Sequence, residues 1–409
     1  MSATGTPKAP PINNGQVVPS PAHDVDRRQV LKAIAVGGAT AVVSGTGALS
    51  YRVFDGAVLD PGSGQAYDPW QHWQDDPGPL GAVAGAILAA NPHNTQPWTF
   101  HVAANSIDVF ADTARGVAAL DPFGREQRVG LGCALENLAL GCRARGLEPV
   151  VALLPDGPDG DRVAHVSLEA AKPQASRLYE AIGRRHTNRG PYDGRSVSAE
   201  QLSALVDTSG LPGVEVSWVS EPAAKAAMGR LLVEAAAALT HDKQQSQESF
   251  TWFRASNDAV QRHRDGLTLD AQGMSPLMLS IAKLLPASSR TAGDEFWVGQ
   301  TRKVHTKTAA AYGILTVTGP YDPATQLVAG RLLQRIHLTA TNQGVALHHM
   351  NQITERIDRE LTTSAPATFG PRFAELLPSG AQPLVAFRVG YAARDGRPSP
   401  RRTLTAVTR

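Results

Sequence analysis

The chain has 409 residues, 42% of them hydrophobic, and a formal net charge of +2. That is the make-up of a soluble globular protein with core enough for one large domain or two ordinary ones. So small an excess of positive charge, with no basic run interleaved with aromatics, argues against a nucleic-acid partner.

Residues 1–23 are rich in Pro, Gly, Ser and Asn and read as a disordered leader. Asp26-Arg27-Arg28-Gln29-Val30-Leu31-Lys32 then precedes a small-residue apolar run over 33–49. This resembles a twin-arginine export signal; the alternative is a first helix of the domain. The run is Gly-rich and, at about 17 residues, short of the ~20 that a stable membrane span needs. The expectation is export through the twin-arginine translocase, released or anchored by an uncleaved signal. A cytoplasmic protein is expected if the signal does not function. Residues 1–50 are thus set apart, and 51–79, with its Pro, Gly and Asp, reads as a linker.

A buried Ala-rich helix is expected over 80–90, ending at Asn91-Pro92 because the residue before proline disfavours the helical conformation. The polar loop His93-Asn94-Thr95-Gln96-Pro97 leads into a strand over 98–102, which pairs with 107–111. Residues 126–145 form the clearest helix, closed by Gly146, and strands follow over 148–154 and 163–168. Cys133 and Cys142 lie roughly 13 Å apart on that helix, past the ~7 Å reach of a disulfide. They read as core residues, and no Cys/His pairs stand at zinc-ligand spacing, so no metal site is expected.

An amphipathic turn over 176–182 runs into Arg184-Arg185-His186-Thr187-Asn188-Arg189-Gly190-Pro191-Tyr192. A helix end already favours cations, and the planar fork of arginine can bond two phosphate oxygens at once. The segment is either a phosphate grip or a solvated basic helix end. Further strands are expected over 214–219, 311–318 and 384–391, and helices over 222–239 and 323–342. The stretches beginning at Gly132 and Gly330 share one pattern: Gly, an apolar helix, then Gly and an apolar residue entering a strand. A degenerate duplication at about 170 to 200 residues follows, giving halves at 80–175 and 176–409. Residues 246–297 have no counterpart in the first half and are either a lid over a site or a structural insertion.

With Arg185-His186-Thr187-Asn188-Arg189 and Asn94-Thr95-Gln96-Pro97-Trp98 both in view, the chain resembles the nitroreductase-fold flavoproteins, nearest their fused single-chain Acg branch. The resemblance implies an α+β fold of two fused half-copies. Each has a central, mostly antiparallel sheet flanked by helices, so that a single chain stands as a pseudo-dimer. It also implies FMN as cofactor, its phosphate held by Arg185, Thr187 and Arg189 with Arg401 and Arg402 from the tail. Asn94 and Gln96 would face the pyrimidine edge, and Met350 and Asn351 the N5 edge. No side chain stands out as acid, base or nucleophile, since a flavin carries the electron chemistry itself. The expected function is electron transfer from a reductant, NADPH if cytoplasmic, through FMN to a nitroaromatic or quinone-like acceptor. The alternative is an FMN-sequestering protein closed by its lid.

Overall fold

The computed structural model describes residues 57, 58 and 60–409, so the leader and the expected export signal lie outside the described residues. The segment expected as a linker is part of the body. Its short helix α1 (Pro69–His72) buries Trp70, and Trp73 lies just beyond it with its ring packed edge-on against Tyr179. Helix α2 (Gly78–Ala86) follows and is buried from Gly81 to its end.

Strands β1 (Trp98–Val102) and β2 (Ser106–Ala111) form the expected hairpin, with Phe100 opposite Val109 and both side chains in the core. Helix α3 (Arg125–Ala144) comes next, then β3 (Leu147–Leu153) and β4 (Arg162–Ala170). The short helix α4 (Arg177–Ala181) starts where the Ser176 hydroxyl accepts the Tyr179 N–H, a side-chain cap for an otherwise orphaned donor. It tightens into a 3-10 turn over Ile182–Arg184 just before the arginine loop.

In the second part, β5 (Val214–Val219) is followed by the long helix α5 (Pro222–His241) and by α6 (Lys243–Thr251), α7 (Pro276–Leu284) and α8 (Arg290–Gln300). Then come β6 (Ala311–Val317), α9 (Pro323–Asn342), β7 (Ala346–His349), α10 (Gln352–Thr363) and β8 (Gln382–Gly390). Asp322 caps α9 through the Thr325 N–H, and Pro323 occupies the first helical position, where its missing N–H costs nothing.

The first sheet has the order β1-β2-β4-β3 and the second β5-β6-β8-β7, each neighbour antiparallel. The two orders are the same, and in each a 20-residue helix joins the second strand to the third. Those helices, α3 and α9, cross at Gly132 and Gly330. A Cβ on Gly132 would lie 2.1 Å from Leu327 O, and one on Gly330 2.1 Å from Val129 O, so only glycine fits at either. Around the crossing Gln334 donates to Asn137 (2.8 Å), while Arg331 and Arg335 both bond the buried Glu136. Side chains of both sheets and both helices share one apolar core. The tail returns to the first sheet: Arg409 N–H donates to Phe100 O (2.9 Å). Among the described residues no helix is long and apolar enough to cross a membrane.

Candidate functional site

The turn after α4 and the last turn of α2 meet the C-terminal tail. Arg185 is buried; its Nη2 donates to Leu88 O (2.9 Å) and its Nη1 lies 3.4 Å from His337 Nδ1. Arg401, also buried, donates to Leu88 O (3.3 Å), Ala89 O (3.2 Å), Pro400 O and the Asn94 side-chain oxygen. The carbonyls just past the C-terminal end of α2 therefore hold both cations, as the helix dipole favours. Both guanidinium groups stand over the Trp70 ring, at 5.7 and 4.8 Å, a favourable placement for a desolvated cation. Yet the Nε of each is buried without an acceptor.

These two arginines, with Arg189, Arg397, Thr187, Asn94 and Ser399, line a small niche of about 30 Å³. Among the described residues none of its four arginines is ion-paired with a carboxylate. Burial holds the Arg185 guanidinium down to about 10. Burial and then the adjacent Arg185 charge hold Arg401 well below its ordinary range. Arg189 is likewise held down to about 10, by burial and then by Arg388. Desolvated like charges side by side are unfavourable unless an anion joins them.

Thr187, Arg189, Ala90 and Asn91 line both the niche and a cavity of about 610 Å³ that opens from it. One wall is apolar and comes from the 246–297 segment, including Phe250, Phe253, Met278 and Trp297. The lining also includes Met350 and Asn351, just past the end of β7, with Glu126 and Glu355. His93, His305, His348 and His349 line the cavity as well. Burial, followed by the neighbouring Arg189, lowers His93 to about 4. Burial, then Arg185 and Arg189, lowers His349 to about 3. These imidazoles are therefore neutral near pH 7, and the positive charge of the site belongs to arginine.

Of the residues expected from sequence, Arg185, Thr187, Arg189, Asn94 and Arg401 come together in the niche, and Met350 and Asn351 on the adjoining cavity. Gln96 and Arg402 do not face either space. The Gln96 amide donates to Arg264 O and accepts the Arg402 N–H (both 2.8 Å). The Arg402 guanidinium is spent on Gln96 O, Trp98 O and Ala406 O. His93, Asn94 and Gln96 all hold left-handed φ angles (48°, 55° and 52°), which turns the Gln96 side chain inward and the Asn94 side chain towards Arg401. The Met350 N–H is used by Ala386 O (2.8 Å), whereas that of Asn351 makes no hydrogen bond among the described residues. Sequence reading missed Trp70, Arg397, Glu126 and Glu355. The Trp70–Trp73 spacing, one helical turn, was the available signal for the first.

Fold and site together define an α+β chain with an arginine-lined anion niche opening into an apolar, imidazole-rimmed cavity. No protein-family model matches the chain. It is 27% identical over 333 residues to the putative NAD(P)H nitroreductase Rv3131 of Mycobacterium tuberculosis, covering 79% of this chain and 88% of that protein. To the putative NAD(P)H nitroreductase acg of the same organism it is 25% identical over 330 residues, covering 78% and 90%. The chain is a homologue of these two putative nitroreductases. Among solved structures, the FMN-dependent nitroreductase NfnB of Mycobacterium smegmatis in complex with NADPH aligns at 16% identity and a TM-score of 0.36. That alignment covers 57% of this chain and 98% of the other, too loose an overlay to transfer any residue.

Proposed function

We propose that the protein is an FMN-binding oxidoreductase of the nitroreductase type. It would pass electrons from a nicotinamide donor to an electron-poor acceptor such as a quinone or nitroaromatic. One observation carries this reading. Arg185 and Arg401 are buried side by side with unpartnered Nε donors and no carboxylate, in a niche joined to a cavity of about 610 Å³. A phosphate monoester satisfies the first and a flat apolar ring system the second, and FMN carries both on one molecule. The residues present fit the group. Arg185, Arg401, Arg189 and Thr187 would hold its phosphate, and Asn94 would brace Arg401.

When bound, FMN supplies two-electron chemistry to the cavity. The chain's own part is to position and to exclude water. Phe250, Phe253, Met278 and Trp297 give the cavity an apolar wall, and the free Asn351 N–H offers a fixed donor beside it. We further propose that the repeated strand order reflects a duplication that kept one complete site, the niche drawing on both halves. The insertion's large share of the cavity wall favours, as a second reading, a sequestering flavoprotein with little turnover.

Reconstitution with FMN tests the main reading. About one FMN per chain is expected, with bleaching of its absorbance on anaerobic addition of NADPH. No retained flavin, or two per chain, overturns it. Retained flavin that NADPH does not bleach selects the sequestering role.

A further inference from the structure

The end of the cavity lined by Asn351 is acidic. Arg125 on α3 is fully buried and commits its guanidinium to Asp358 through two bonds (3.0 and 2.7 Å) and to Leu384 O. Asp358 also accepts the Tyr321 hydroxyl (3.0 Å). Three more buried carboxyl groups surround this pair: Asp121 before α3, Glu126 on α3 and Glu355 on α10. Asp121 accepts the Gln127 N–H, and Glu126 and Glu355 both line the cavity. Glu126 Oε1 is buried without a hydrogen bond, 3.9 Å from the already committed Arg125. The carboxyl group of Glu355 makes no hydrogen bond or ion pair among the described residues.

Four carboxylates around one guanidinium leave an excess of buried negative charge that only protons can remove. Burial, and then Asp121 and Asp358 working against the Arg125 charge and a hydrogen bond from the Asn351 side chain, push Glu126 up to about 7. Burial, and then the Glu126 charge itself, push Glu355 well above the usual carboxyl range. Two like groups facing one cavity and repelling each other behave as a unit that keeps a proton where isolated carboxyls would lose it.

We propose that Glu126 and Glu355 form a shared proton store on the cavity wall, and that an acceptor protonated as it is reduced, a quinone, draws its second proton from this pair. A quinone gains two electrons and two protons on becoming a hydroquinone. A nicotinamide hydride donor accounts for both electrons and one proton. For the other, the carboxyl O–H bond breaks as an O–H bond to the quinone oxygen forms, and a proton taken up from the buffered solvent restores the carboxyl group. Delivery rests on the oxidoreductase reading; the store itself does not.

Infrared spectroscopy of the flavin-free protein decides the store. A protonated-carboxyl C=O band is expected to persist to about pH 7 and to lose most of its intensity in the Glu126→Gln/Glu355→Gln double variant, which leaves only the buried Asp121 raised. In the single Glu126→Gln variant, which removes the repulsion on Glu355, the midpoint of the remaining band should fall towards the ordinary carboxyl range. An absent band, or an unmoved midpoint, overturns the store, and the single variant decides if the double does not fold. For delivery, NADPH-reduced holoenzyme is mixed with p-benzoquinone. Reoxidation should slow by about 100-fold in the double variant, the usual worth of a positioned acid, with flavin content unchanged. A loss below about threefold overturns delivery. If the wild type retains no flavin, the oxidoreductase reading falls while the infrared result still judges the store.

Discussion

Replacing Arg185 with methionine sets the anion niche against the stability of the fold. Arg185 is 2% exposed, and burial takes its guanidinium from the ordinary value to about 10. Both values lie above neutrality, so the group is charged in the folded and unfolded chain alike, and the whole penalty is felt at pH 7. That fall corresponds to roughly 3 kcal/mol. Against it stands the charge-assisted bond to Leu88 O, worth about 1.5–3 kcal/mol. Leu88 O keeps Arg401 as a donor, so the substitution leaves no orphaned carbonyl. Flavin-free Arg185→Met protein should therefore be as stable as wild type or up to about 2 kcal/mol more so. FMN binding, in contrast, should weaken by about 2–5 kcal/mol, from roughly 30-fold to several thousand-fold. Denaturant unfolding and fluorescence titration with FMN measure the two quantities. Arg184→Met serves as the control, because Arg184 is exposed and its side chain, among the described residues, bonds only Asn342 (2.8 Å). A loss of more than about 1 kcal/mol in the flavin-free Arg185 variant, or FMN affinity equal to the control, would refute the reasoning.

Gly330→Ala should destabilise the fold by about 1–3 kcal/mol despite alanine's better helix propensity, because the new methyl meets backbone that cannot give way; denaturant midpoints check it. Gln96→Ala should lower stability by about 1–3 kcal/mol through the unsatisfied Arg402 N–H and Arg264 O, while FMN affinity changes far less than in Arg185→Met. Glu126, held up to about 7, contributes stability that is complete below the ordinary carboxyl value and is lost as pH rises through about 7. The denaturant midpoint of the flavin-free protein should thus fall between about pH 5 and about pH 8, and Glu126→Gln should flatten that fall.

Elements with strong local signals were legible in the sequence. Helix α9 is one, its start written by Asp322-Pro323 and its end by Gly344. The Gly132 and Gly330 pattern, read in the sequence as a repeat, marks a close helix crossing that leaves no room for any other residue. What sequence could not supply was aim. Asn94 and Gln96 sit two positions apart in one loop, yet left-handed backbone sends one to Arg401 and seals the other against Arg402. Trp70 was lost in a stretch rich in Pro and Gly, where a four-residue helix is too short to show periodicity. Glu126 and Glu355 looked like ordinary helical carboxylates, since only tertiary packing brings α3 and α10 to one wall.

The position of Arg401 has a consequence for biogenesis. It is added to the growing polypeptide after every other arginine of the niche, and with Pro400 and Ser399 it supplies the last side of that compartment. On the FMN reading, the full set of phosphate donors is therefore assembled only once the tail has docked.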